Sequence, residues 1–167
     1  MSRAFLNEDK FEQAGDEVVE RPISDEPNYV TAAGLHHLKY EVQRLEALRE
    51  ELAPRKEYPF AALQLAEAER DLRYFSARLE SAILVDVTEH PQDEIRFGAT
   101  VDVEDENGQV MEFRIVGEDE SDITKNKVSW ASPLARALIG HKVGESVVWK
   151  RPAGPLELTI TGIHYAK

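Results

Sequence analysis

One stretch near the middle of the chain, Arg49-Glu50-Glu51-Leu52-Ala53-Pro54-Arg55-Lys56-Glu57-Tyr58, gathers the side chains best suited to chemistry. Carboxylates are hard oxygen donors. An acid delivered to a divalent ion that another protein holds can steady the ion and a water, and so assist attack on a phosphodiester. Glu50, Glu51 and Glu57 are the candidates for that work, while Arg55 and Lys56 either compensate them or touch nucleic-acid phosphate. The plain alternative is solvated charge at helix ends, because glutamate is common on any exposed helix. Elsewhere the chemistry is thin. His36, His37, His90, His141 and His164 are scattered and form no H-x-x-x-H or H-E-x-x-H pair, which argues against a histidine metal site. Ser132 has no G-x-S-x-G context, and Gly140, Gly144 and Gly154 sit at turn positions, not in a phosphate-cradling loop. An independent enzyme is hard to assemble from these parts.

The elements around the acidic stretch explain how it would be presented. Thr31 is a candidate helix cap, and Leu35, Leu38, Val42, Leu45, Leu48 and Leu52 then recur at steps of three and four, the mark of one buried helical stripe. Pro54 stops that helix and Pro59 opens the next. Leu65, Ala68, Leu72, Phe75, Leu79 and Ala82 continue as a heptad seam. Two striped helices joined by a short turn pair antiparallel, and about 22 residues each give a rod on the order of 33 Å with the acids at its apex. Arg44, Glu46, Glu67, Arg70 and Arg78 fall on the polar faces. A lone two-helix seam is marginal, so its base needs an anchor.

After Asp86 the period changes from helical to alternating. Val101 and Val103, then Met111, Phe113 and Ile115, flank Asn107-Gly108, a tight-hairpin signal. Val128 and Trp130 make a third short run, Pro133 to Ile139 a short helix ended by Gly140, and Val147 to Trp149 and Leu156 to Ile163 two more strands. The fold class expected is α+β: an acidic extended leader over 1–30, an antiparallel coiled-coil finger over 31–83, and a small antiparallel sheet domain with a short helix over 84–167.

Composition sets the outer bounds. The 167 residues carry 32 acids and 20 bases, a net charge of −12. The middle segment is nearly neutral (9 acids, 8 bases), whereas residues 1–30 hold 8 acids against 3 bases and residues 84–167 hold 15 against 9. That balance argues against a broad polyphosphate-binding face and for a protein partner with basic surface. The chain has no cysteine, which excludes disulfides and thiolate zinc sites and suits a reducing cytoplasm. No stretch approaches the roughly 20 apolar residues of a membrane span, and the opening residues lack the apolar core of a signal peptide. A cytoplasmic protein with no membrane partner is expected.

Several blocks carry a resemblance. Phe97-Gly98-Ala99-Thr100-Val101, Phe113-Arg114-Ile115-Val116-Gly117, the acidic Glu118-Asp119-Glu120-Ser121-Asp122, and Ser132-Pro133-Leu134-Ala135-Arg136-Ala137-Leu138-Ile139-Gly140 resemble, in order, the C-terminal domain of the Gre family of bacterial transcript-cleavage elongation factors. Asn28-Tyr29-Val30-Thr31 with Gly34 and Leu38 resembles the start of that family's coiled coil, and Ser81-Ala82-Ile83-Leu84-Val85-Asp86 its exit; Ser2-Arg3-Ala4-Phe5 is similar to leaders of the GreB-like branch.

The resemblance implies a coiled-coil finger and an FKBP-like C-terminal domain. It implies RNA polymerase as partner, with the domain docked at the rim of the secondary channel and the finger inside, in indirect contact with the transcribing DNA/RNA complex. The implied protein is a monomer, has no cofactor of its own, and shares a Mg²⁺ ion with the polymerase active site through its apex acids. Ser132, Pro133, Leu134, Ala135 and Arg136 match the polymerase-contacting loop and helix; the alternative for them is a helix start packed on the sheet. The apex departs from the family pattern D-L-x-E-N-A-E-Y: Glu51 stands at the Asp, Leu52 at the Leu and Pro54 at the Glu, and the first helix is shorter by several turns. A cleavage stimulator, a channel-binding regulator without cleavage, and a relative of the short-finger nucleoside diphosphate kinase regulators all stay open. A peptidyl-prolyl isomerase is a further enzyme alternative. It needs an aromatic-lined pocket, whereas Phe97, Phe113, Trp130, Trp149 and Tyr165 fall mostly where strands fill a core.

Overall fold

Thr31 caps its helix as its position predicts: its hydroxyl oxygen accepts the Gly34 N–H at 3.0 Å, and helix α1, Ala32–Leu52, begins at the next residue. The computed structural model describes residues 18–166; most of the expected leader, up to residue 17, lies outside the described residues. The fold is α+β, and the chain divides into two compact units. One combines residues 18–25 with Leu35–Ser81, the other Glu26–Gly34 with residues 82–166.

In the first unit, α1 runs about 32 Å and α2, Pro59–Ser81, about 35 Å, at 1.5 Å per residue over 21 and 23 residues. The stripes meet in a thin seam. Leu45, Ala68 and Leu72 are buried together, with Val42, Leu48 and Phe75 packed against them. The His37 ring meets Phe75 edge-on at 6.4 Å, which sets the start of α1 beside the later turns of α2, as an antiparallel pair requires. One residue departs from the pattern. Arg78, read as polar-face, is instead buried, 2% exposed. The end of the leader also differs from a bare tail. The Arg21 guanidinium lies 4.0 Å above the Tyr74 ring, its Nη1 is 3.5 Å from Asp71, and Glu20 pairs with Arg73. Residues 20 and 21 therefore lie along α2.

The second unit is built on five strands in the order β5-β4-β3-β7-β6: β3 Ala99–Asp105, β4 Val110–Val116, β5 Lys127–Ser129, β6 Ser146–Arg151 and β7 Gly154–Tyr165. Inward residues alternate along them. Val101, Val103, Phe113, Ile115, Val147, Leu158 and Ile160 form the core with Leu134, Ala135 and Leu138 of α3, Pro133–Leu138. The sheet is antiparallel as expected, except that β5 pairs with β4 in parallel. A long connection through two short 3-10 turns at Glu118–Glu120 and Ile123–Lys125 makes that pairing possible. The β3–β4 connection is longer than the two-residue turn that Asn107-Gly108 suggests. The Asp105 carboxylate accepts the N–H groups of Asn107 and Gln109, both at 2.9 Å, and this side-chain capping favours the wider loop over 106–109.

Two further strands, β1 Tyr29–Val30 and β2 Ile83–Leu84, pair in parallel and bring both ends of the hairpin sequence to this unit. Glu120 fixes the first of them. Its carboxylate accepts from the N–H of Thr31 at 3.1 Å, from the N–H of Gly117 at 3.0 Å, and from the Thr31 hydroxyl. A Cβ at Gly117 would collide with the Tyr29 carbonyl oxygen, and one at Gly34 would push the Glu120 carboxylate out of its place.

Tyr165 closes the end of β7. Its hydroxyl donates to the Glu94 carbonyl and accepts the Arg96 N–H at 2.9 Å, and burial pushes its pKa above the ordinary value. A raised acid pKa means stability that is fully present below about pH 10 and is lost as pH climbs through the folded value. Denaturant midpoints should therefore fall as the pH is raised above about 10 in the native protein. Tyr165→Phe, itself costing about 1 kcal/mol at neutral pH, should show a shallower fall.

Candidate functional site

The apex follows from where α1 must stop. Leu52 ends the apolar stripe of α1 and is 6% exposed, and Ala53–Arg55 then tightens into a 3-10 turn with Pro54 exposed. The Tyr58 N–H donates to the Arg55 carbonyl at 3.0 Å, and the Ala62 N–H to the Tyr58 carbonyl at 2.9 Å, which starts α2. Glu50, Glu51 and Glu57 are all exposed. Among the described residues none of the three carboxylates has a hydrogen-bond or ion-pair partner, and neither do the Arg55 and Lys56 side chains. Mutual compensation, one of the two roles open to these bases, is therefore not made. Of the three acids, Glu51 alone adjoins the buried Leu52.

The donor set is right for a hard cation but incomplete for holding one. Among the described residues no three His, Asp or Glu side chains converge, whereas magnesium wants near-octahedral oxygen coordination. Such an apex fits the open side of an ion bound elsewhere.

The second candidate surface begins at Ser132, whose Oγ accepts the Ala135 N–H at 3.2 Å and caps α3. Leu134 and Ala135 are 3% and 0% exposed and pack into the core; for these two the packing alternative describes the side chains. Pro133 and Arg136 face outward. Arg136 Nε donates to the Ala131 carbonyl at 2.8 Å and Nη2 to Glu26 at 2.9 Å. The guanidinium is thus held in place while its side chain stays 57% exposed.

Aromatic residues behave less uniformly than their strand positions suggest. Phe113 is in the core and Trp149 and Tyr165 pack against it. Phe97 is buried and Trp130 packs against the core as well, and both also line a cavity of about 460 Å³ together with Tyr29 and His90. The Tyr29 ring centroid is 5.1 Å from that of Trp130 and 6.1 Å from that of Phe97. The sequence offered a sign of Tyr29's role only in the two β-prone residues Tyr29-Val30 ahead of the helix cap.

Comparison with known proteins points to one family. The family model for the C-terminal domain of the transcription elongation factors GreA and GreB matches residues 90–165, which include both the sheet and α3. GreB of Neisseria meningitidis serogroup B is 34% identical over 155 residues, covering 84% of this chain and 95% of that protein. GreA of Anaeromyxobacter sp. is 35% identical over 153 residues, covering 83% and 92%. A solved GreA/GreB factor from Nitrosomonas europaea is 25% identical, with a TM-score of 0.42 over 83% of this chain and 99% of that one. Among the described residues no helix is long and apolar enough to cross a membrane. Because the sequence matches run through the hairpin as well as the sheet and cover nearly the whole of these relatives, the chain belongs to the GreA/GreB family of transcription elongation factors.

Proposed function

We propose that the protein acts on RNA polymerase, docking at the rim of the secondary channel with the capped start of α3 and placing the hairpin apex inside. The observation that carries this reading is the apex itself: three exposed carboxylates that have no partner among the described residues, beside a buried leucine. Pro133 and Arg136 supply the outward contacts at the rim, while Ser132, Leu134 and Ala135 set their position. At the polymerase active site, Glu51 with Glu50 or Glu57 would hold the outer side of a shared Mg²⁺ ion, which when bound supplies Lewis-acid stabilisation of phosphodiester hydrolysis. The carboxylates orient water and accept a proton; the protein holds no metal of its own, forms no covalent intermediate and works as a monomer.

A second reading has one feature in its favour. Pro54 occupies the place where the family pattern carries its second acid, which suits a regulator that fills the channel without promoting cleavage. A stalled, backtracked elongation complex separates the two. Short 3′ RNA fragments that vanish with Glu51→Ala support cleavage stimulation. Retention without fragments from either protein supports the regulator, and no retention overturns both.

A further inference from the structure

The end of the leader lies on one face of α2, and that face runs on past it. The Arg21 guanidinium stands over the rings of Tyr74 at 4.0 Å and Phe75 at 5.0 Å and reaches Asp71, while Arg73 Nε donates to the Glu20 carboxylate at 3.1 Å. A cation shared between rings and a carboxylate fixes where the chain sits. Its direction is fixed too. The Asn28 carbonyl accepts the Ile83 N–H at 2.8 Å just beyond the end of α2, whereas Arg21 and Glu20, earlier in sequence, are already at Asp71 and Arg73. Toward its N-terminus the leader therefore climbs α2 in the direction of Pro59. Asp71 and Tyr74 follow Phe60 by about three and four helical turns, so the three share a face. Along it Phe60, Gln64 and Glu67 are exposed, Phe60 by 61%, whereas Asp71 and Tyr74, where the leader lies, are half-buried.

We propose that the leader continues along this face and seats Phe11 on the Phe60 ring, making it an intramolecular strap on the hairpin. The residues up to 17 lie outside the described residues, and Phe11 is the first aromatic side chain met on going back from Glu20. Reach permits the contact. Phe60 is about 20 Å along the helix from Arg73, and the chain from Glu20 back to Phe11 spans up to about 30 Å. Two rings brought together remove apolar surface from water. Charge does not drive the contact, because Glu67 on this face has the same sign as Glu12, Asp16 and Glu17 of the leader. The strap is held by its rings at one end and by Glu20 and Arg21 at the other. While it is in place, the Phe60 face is closed to any partner, and this holds for the chain alone, whatever that partner is.

The chain has no cysteine, so introduced pairs report on the strap directly. With Phe11 on Phe60, an extended leader sets residue 13 beside Gln64, and Gln13→Cys with Gln64→Cys leaves both rings in place. Gln13→Cys with Ser76→Cys is the comparison. Ser76 is exposed, faces away from Tyr74 and lies nearer to Arg73 than Gln64 does, so a loose leader would reach it as readily. Under mild oxidation of the full chain, the pair with Gln64→Cys should close within one molecule about 10-fold faster than the pair with Ser76→Cys, read from non-reducing gels. Adding Phe11→Ala, Phe60→Ala or Arg21→Ala should bring the two rates together, with circular dichroism verifying that each variant stays folded. Equal rates for the two pairs, or a difference that survives all three alanine changes, overturn the proposal. So does closure between two molecules instead of within one, which would assign the Phe60 face to a second copy of the chain.

Discussion

Glu51→Ala is expected to slow release of 3′ fragments from a backtracked elongation complex by about 100-fold, the scale on which a positioned acid or base contributes, with retention on the polymerase unchanged. The magnitude follows from position. Leu52 is buried, so the adjacent backbone is held and the Glu51 carboxylate starts from a defined point. Glu50 is one residue further from that anchor, and Glu57 lies beyond the 3-10 turn. Their alanine variants should therefore cost less. Because Glu51 has no partner among the described residues, its removal breaks nothing in the fold. Unchanged thermal unfolding alongside lost fragments would attribute the effect to chemistry. Equal fragment yields from Glu51→Ala and the native chain would remove Glu51 from the mechanism.

Leu45→Ala should be the most damaging single change in the hairpin, costing about 2–5 kcal/mol. Leu45 is 1% exposed and, among the described residues, shares its buried cluster with Ala68 and Leu72 alone. Few neighbours can relax to refill the space, and a two-helix unit has little stability to lose. The sheet has its own core around Val101, Ile115 and Leu158. Hydrogen exchange should therefore lose protection across residues 35–81 and keep it in β3, β4 and β7. A uniform loss over both units would show that they unfold as one.

The hairpin was legible because its information is local. Steps of three and four from Leu35 to Leu52 and from Leu65 to Leu79, with Pro54 and Pro59 between, fix two helices and their turn without reference to the rest of the chain. The alternation through Val101, Val103, Phe113 and Ile115 gave the central strands in the same way. What could not be read depends on partners distant in sequence. Two-residue strands such as Tyr29–Val30 and Ile83–Leu84 have no periodicity and exist because they pair with each other. Lys127–Ser129 joins β4 in parallel only because the preceding turns carry the chain back. In sequence Glu120 is one of a run of acids, whereas in the fold its carboxylate closes on Thr31 and Gly117. In the candidate site, spacing put Glu51 at the apex, but it could not separate Leu134 and Ala135, which pack inward, from Pro133 and Arg136, which face out. In a short helix each of those faces is defined by what lies beneath it.

The natural absence of cysteine gives direct access to where the apex goes. Pro54→Cys, carrying a tethered iron chelate and bound to a stalled elongation complex, generates radicals that cut whatever lies within reach. Cuts in the RNA near its 3′ end and in polymerase segments around the active site are the result expected here. Cuts confined to the outer surface of the polymerase would contradict it.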